Sequence, residues 1–287
     1  MDWFFYALMC ALFLATSDTF AKKTLRNVNE YIVAWGRLVW AAPFVIIVFP
    51  FISVPPVKPA FWTALCVLYP LEITAIILYI KAIKRSPLSI TVPFLGLTPL
   101  FLILTSYVVL DESVDSSGII GIVLVASGAY CLNLGKTKAG LLGPIRAVYK
   151  EKGSFMMVMV AAIYSISAVL GKVCAQNSSP LFFCLFYVLT LPVVLFPIVI
   201  TNTSKRDLKT AFTTTSFVFI GLFYGLSIMC HLTAIVRVEV PYMISVKRMS
   251  LLFGIIYGRF VFKEKKFTER LAGGLLIVAG ITCITLL

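Results

Sequence analysis

Apolar runs long enough to cross a bilayer follow one another along almost the whole chain, and nothing else constrains its fold as strongly. A spanning helix needs about 20 mostly apolar residues. Such runs lie near residues 2–21, 31–53, 59–80, 87–110, 117–135, 154–175, 180–201, 211–234, 240–262 and 268–286. Lipid offers no partner to backbone N–H and C=O groups, so runs of this kind become helices. Of the 287 residues 60% are hydrophobic and 13% charged, and the ten runs leave no room for a soluble domain. Proline and polar residues punctuate them, as in Val54-Pro55-Pro56, Ser86-Pro87, Asn177-Ser178-Ser179-Pro180 and Glu239-Val240-Pro241. The start, Met1-Asp2-Trp3, carries neither a basic stretch nor a small-residue cleavage site, so the first run is expected to be a retained helix. The expected fold is an all-α membrane protein of ten transmembrane helices.

Sliding the chain on itself by 152 residues aligns 82–134 with 234–286 without a gap, with 13 identities in 53 positions. Shared apolar composition produces Leu and Ile matches by chance, but Arg85/Arg237, Glu112/Glu264, Gly121/Gly273 and Gly128/Gly280 are not of that kind. The repeat covers five spans, an odd number, so the second half enters the membrane upside down relative to the first. That is the inverted repeat of many secondary transporters. The expected organisation is a first five-helix repeat over 1–135, a basic connector over 136–153 and a second repeat over 154–287.

The formal charge of +13 resembles a nucleic-acid footprint until its placement is considered. Alternate connectors hold 18 basic residues: three in each of the first two, five in the long one, three in the fourth and four in the last. The opposite side holds two, Lys58 and Arg237. The positive-inside rule makes the five rich connectors cytoplasmic and places both termini outside a plasma or inner membrane. The charge thus reports topology, and no nucleic-acid partner is expected.

Seven cysteines lie inside apolar runs with no CxxC pair and no histidine cluster, so free buried thiols are expected and no metal site. GxSxG, Walker A and HExxH motifs are absent, which argues against an enzyme or an ATP-driven pump. No cofactor is expected.

Ionisable residues within spans cost about 2.5–3.5 kcal/mol each on insertion scales, so each needs a partner, a wet cavity or a route to the interface. Lys247-Arg248 in the ninth span has no acidic residue one turn away. Its charge is answered from another helix or by a ligand: the guanidinium grips a carboxylate or phosphate bidentately while the ammonium acts as a point charge. The alternative is structural, with Lys247 snorkelling and Arg248 bridging to Glu72. Glu72, near the middle of the third span, is expected to be protonated, paired across helices, or part of a proton route. Asp18 has Lys22 four residues on, a local ion pair. Arg37 snorkels or reaches Glu72 and the substrate. His231 is a proton relay or a packing residue. Lys172 and Arg259, near span ends, are expected to snorkel.

Gly221-x-x-x-Gly225 and Gly254-x-x-x-Gly258 favour close helix approach. Pro93 and Pro99 interrupt the fourth span and Pro192 and Pro197 the seventh, freeing carbonyls for a cavity or hinge. Tyr6, Trp40, Tyr79, Tyr187 and Tyr242 are candidates to stack on a ligand, against the plainer reading of core or lipid packing.

The pattern Pro99-x12-Glu112-x8-Gly121-x6-Gly128, echoed by Glu264-x8-Gly273-x6-Gly280, resembles the drug/metabolite transporter superfamily, specifically its EamA-type members. The resemblance covers essentially the whole chain and implies alternating access around a cavity lined by the first, third, fourth, sixth, eighth and ninth helices. Ser245-Val246-Lys247-Arg248 is similar to the ninth-helix Lys-Arg pair of triose-phosphate and nucleotide-sugar translocators, where the pair contacts phosphate. The reading that follows is a secondary transporter of a small polar, anionic metabolite, phosphorylated compounds included. Lys247, Arg248, Arg37, Glu72, Tyr79 and Tyr242 are its expected substrate contacts, and Glu72, His231 and Asp18 its expected proton-coupling groups. The alternatives are an exporter of amino acids or amphipathic small molecules, and a non-transporting accessory or lipid-handling protein. Membrane lipids surround it in every case, and a membrane homodimer stays open.

Overall fold

In the computed structural model, residues 2–47, 50, 54–86, 91–134, 151–261 and 271–285 are described. Most of the basic connector, Glu264 and the basic residues of the last connector lie outside them. The described chain is helical: α1 (Asp2–Thr24), α2 (Glu30–Val39), α3 (Ala42–Ile46), α4 (Pro59–Arg85), a 3-10 segment (Val92–Leu97), α5 (Thr98–Leu110), α6 (Ser116–Leu134), α7 (Lys152–Gln176), α8 (Pro180–Asn202), α9 (Lys205–Thr213), α10 (Ser216–Ile235), α11 (Val240–Lys247), α12 (Met249–Phe260) and α13 (Leu271–Thr285). Six described helical segments are long and apolar enough to cross a membrane: α1, α4, Val92–Leu110, α7, α8 and α10. The apolar stretches Ser116–Leu132 and Ala272–Thr285 are shorter.

Local chemistry explains most boundaries. The Asn29 side chain accepts from the Tyr31 N–H at 2.9 Å and starts α2. Pro43 lacks an N–H, and its ring collides with the carbonyl four residues back, at Val39, which is where α2 ends. The expected second span is therefore broken rather than continuous. Pro99 acts likewise on the fourth span, where the 3-10 segment gives way to α5 at Thr98. Asp111, in the left-handed region at φ 56°, closes α5. The ninth span breaks at Arg248, which ends α11 and starts α12. No proline or glycine marks that break, yet it falls within two residues of the fourth-span break once 152 is subtracted.

A second difference concerns the start of the eighth span. Residues 205–213 form a separate helix, α9, begun by a capping box in which Ser204 and Asp207 satisfy each other's backbone N–H groups. The spanning helix begins only at Ser216.

Helix neighbours repeat between the halves. Helix α1 packs along α10 and α4 along α7, the pairs exchanged when the halves are exchanged, while α2 meets α8 and α6 meets α13. At the α6–α13 seam the repeated glycines face one another crosswise. A Cβ on Gly128 would lie 2.6 Å from the Gly273 carbonyl oxygen, and one on Gly280 would lie 2.5 Å from that of Gly121. Ascending numbers on one helix meet descending numbers on the other, so the two equivalent helices run antiparallel, as inversion of the halves demands. Gly221 also permits close approach, since a Cβ there would lie 2.2 Å from the backbone of Trp40. Gly254 does not, having nothing within 4 Å of that position.

Large apolar side chains such as Leu104, Val108, Val193, Phe260 and Leu275 face outward. In water so much exposed apolar surface would be costly, but against lipid tails it is not. The chain is a multi-pass integral membrane protein. Not every thiol is buried as expected: Cys66 is exposed, while Cys10, Cys174 and Cys184 are buried.

Candidate functional site

The longest apolar helices surround a cavity of about 140 Å³. Its lining comes from stripes at helical spacing: Leu68, Glu72, Ile76 and Tyr79 on α4; Tyr164, Ser167, Ala168 and Gly171 on α7; Tyr224, Ser227, Ile228 and His231 on α10. Residues i, i+3, i+4 and i+7 share one helix face, so one rotation of each helix presents its polar groups together. Arg37 and Leu38 of α2, Phe183 and Tyr187 of α8, Thr98 at the fourth-span break and Lys247-Arg248 at the ninth-span break complete it. The second and seventh helices thus line the cavity as well as the six implied by the family resemblance.

Arg37, 5% exposed, places Nη1 3.0 Å from Asp18 Oδ1. Its guanidinium lies 3.9 Å from the Tyr224 ring centroid, and Asp18 Oδ2 accepts from the Tyr79 hydroxyl. This corrects the local Asp18–Lys22 pairing: Lys22 instead donates to the Ile83 carbonyl and, at 3.0 Å, to that of Ser86. Tertiary contact outweighs the one-turn neighbour because Asp18 faces inward and 6% exposed. Glu72 accepts from the Tyr187 hydroxyl at 2.9 Å, not from Arg248, so the structural bridge between those two is not formed. Lys247 Nζ is 3.4 Å from His231 Nδ1, and since an ammonium only donates, that ring nitrogen accepts.

Arg248 is different. It is 3% exposed, no carboxylate lies within ion-pair distance among the described residues, and its Nε has no hydrogen-bond partner. Arg37 Nε and Thr98 Oγ1 are also buried and unpartnered, and all three residues line the cavity. Buried polar atoms without partners are rare, and several around one cavity mark where a ligand or water completes them.

The remaining candidates sit elsewhere. Tyr242 lies outside the cavity: its hydroxyl donates to Asp115 and accepts from the Asp115 N–H at 3.3 Å. The Ser117 and Tyr242 hydroxyls hold the Asp115 carboxyl below the usual carboxylate range. Tyr6 lies under Arg237, 5.0 Å from guanidinium to ring centroid, and Trp40 donates its indole N–H to the Ala211 carbonyl at 2.8 Å. Lys172 does not snorkel; it is 5% exposed, 2.5 Å from Glu112 Oε1 and 2.6 Å from the Val238 carbonyl oxygen. Arg259 is exposed near the end of α12. Tyr164 and Tyr224, not singled out from sequence, are cavity residues, and the Tyr-x-x-Ser spacing shared by Tyr164/Ser167 and Tyr224/Ser227 is the trace that marks them. Among the described residues no cluster of three or more metal-ligating side chains occurs.

Inverted halves, paired helix breaks and a cavity of buried cations and phenols define the membrane-transporter class of helical protein. The chain belongs to the EamA-like transporter family, which it matches over residues 1–134 and 151–286. The search of curated proteins finds no match. A solved crystal structure shares the fold at TM-score 0.76 and 14% identity, over 99% of this chain and 96% of that one.

Proposed function

We propose that the protein is a ten-span secondary active transporter that moves a small anionic metabolite by alternating access. Its halves would be 1–135 and 154–287, joined by the basic connector. The observation that carries the substrate charge is Arg248, a buried guanidinium lining the cavity beside Lys247 with no carboxylate in reach among the described residues. Leaving such a charge uncompensated is costly, and an incoming anion supplies the counter-charge. Lys247 adds a point charge, Arg37 a second guanidinium fixed by Asp18, and Glu72 a group able to carry a coupling proton. The 18-to-2 distribution of connector cations supports termini outside a plasma or inner membrane.

A second reading is favoured by one observation: Glu72 shares the cavity with Arg248, so an amino acid could offer its carboxylate to one and its ammonium to the other. Counterflow in proteoliposomes separates these. Exchange of radiolabelled anions, lost in Arg248→Gln, supports the anion reading; exchange of zwitterions alone replaces it with the amino-acid reading; no exchange of either removes transport.

A further inference from the structure

We infer that the cavity is shaped and charged for a monoanionic carboxylate carried on a single aromatic ring, an inference that rests on the anion-transport reading above. Three independent features point there: size, charge balance and the chemistry of the walls.

Size comes first. An engineered protein cavity of about 150 Å³ takes up benzene, and this one measures about 140 Å³. One six-membered ring with a short acidic arm fills such a space.

Charge narrows the acid. Among the described residues the cavity gathers three cations, Arg37, Lys247 and Arg248, against two carboxylates, Asp18 on Arg37 and Glu72 on Tyr187. The His231 nitrogen that faces Lys247 accepts, as a neutral ring does. With Glu72 ionised one positive charge is left over, and it resides at Arg248, which has no carboxylate within ion-pair distance among the described residues. A monoanion brings the sum to zero. A phosphate monoester, with a charge near −2, overshoots and leaves a buried negative excess.

The walls choose the rest of the ligand. The rings of Tyr79, Tyr164, Phe183 and Tyr187 line the cavity, and Arg37 already covers a face of Tyr224. Offset or edge-on ring contacts with these favour an aromatic body over a hydroxylated one. Arg248 offers its unpartnered Nε beside a terminal nitrogen, the fork that binds a carboxylate bidentately, and the unpartnered Thr98 hydroxyl is a further donor to such an oxygen.

The test is the melting temperature of the purified full chain in detergent, titrated with phenylacetate, acetate, phenyl phosphate and benzylamine, because selective binding to the folded state raises apparent stability. Phenylacetate should bind at least tenfold more tightly than acetate or phenyl phosphate, and benzylamine should not compete. Arg248→Gln should weaken phenylacetate at least tenfold; Arg248→Lys, which keeps the buried charge, covers the case in which the glutamine variant does not fold and should also weaken it. Equal affinity for acetate, or tighter binding of phenyl phosphate, overturns the inference and leaves anion transport standing. Stabilisation by benzylamine alone overturns both.

Discussion

Lys172 Nζ lies 2.5 Å from Glu112 Oε1 and also donates to the Val238 carbonyl, while Glu112 Oε2 accepts from the Val240 N–H at 2.9 Å. One buried ion pair thereby ties the C-terminal part of α7 to the end of α5 and to the first turn of α11, the half-helix that carries Lys247. On the first-half side, Lys22 near the end of α1 holds the carbonyl of Ser86, the position equivalent to Val238 in the repeat. In each half a lysine towards the end of the first helix thus holds a carbonyl just past the end of that same half's third helix, Lys22 with Ser86 and Lys172 with Val238. Removing one partner of a buried pair typically costs about 3–5 kcal/mol because the other charge is stranded. Glu112→Gln should lower the melting temperature sharply, and adding Lys172→Met should restore much of the loss; a double-mutant cycle in detergent measures the coupling.

The Asp18–Arg37 pair responds in graded fashion. Tyr79→Phe removes a single hydrogen bond to a buried carboxylate, a loss of about 1.5–3 kcal/mol. Asp18→Asn strands Arg37 at 5% exposure and should cost more. Thermal melts of the two variants should fall in that order, and the reverse order would mean that the Tyr79 bond contributes more than the ion pair to holding Asp18.

At Lys247-Arg248 the expected losses are in binding. Lys247→Ala should weaken an anionic ligand about tenfold, or about 1.4 kcal/mol, and raising salt towards 1 M should weaken it further by shortening the Debye length to about 3 Å. Titration of ligand at low and high salt, in wild type and variant, checks both.

The glycine seam gives a contrast in packing. A Cβ at residue 128 would meet the Gly273 backbone at 2.6 Å, and a backbone oxygen within a helix cannot step aside. Gly128→Ala should destabilise by about 1–3 kcal/mol, as overpacking does. Gly254→Ala meets nothing within 4 Å and should stay within about 1 kcal/mol of wild type. Melting curves of the pair read the difference directly.

Helix α9 should respond to acid. The Ser204 N–H and hydroxyl donate to Asp207 at 3.0 and 2.8 Å and hold its carboxyl below the ordinary range. A depressed folded-state value contributes stability above the unfolded value of about 3.9 and loses it as pH falls through the folded value. A spin label on Lys209→Cys should therefore become more mobile below about pH 4. In Asp207→Asn it should be mobile already at neutral pH and indifferent to acid.

Sequence reading reached the helical membrane fold, the repeat and the Lys247-Arg248 pair because each rests on local chemistry: apolar length, matched Glu and Gly spacing, adjacent charge. It placed Arg37, Glu72 and Tyr79 in the site, and they meet at the cavity. It did not single out the cavity residues Tyr164 and Tyr224, expected a substrate contact at Tyr242, which lies outside the cavity, and paired Asp18 with its sequence neighbour. Those differences share one origin. Helices such as α1, α10 and α11 are apolar nearly all round, so periodicity does not say which face looks inward.

The amino-acid sequence by itself determined that the chain must cross a membrane repeatedly, since its apolar runs can satisfy their backbone groups only as helices in lipid. It also determined where the connector cations gather. Only the tertiary structure decided which buried charge answers which: Arg37 with Asp18, Lys172 with Glu112, Glu72 with Tyr187, and Arg248 with no carboxylate in reach among the described residues. The partners in those pairs stand 19 to 115 positions apart, and helix rotation set by packing, not any local preference, brings them together.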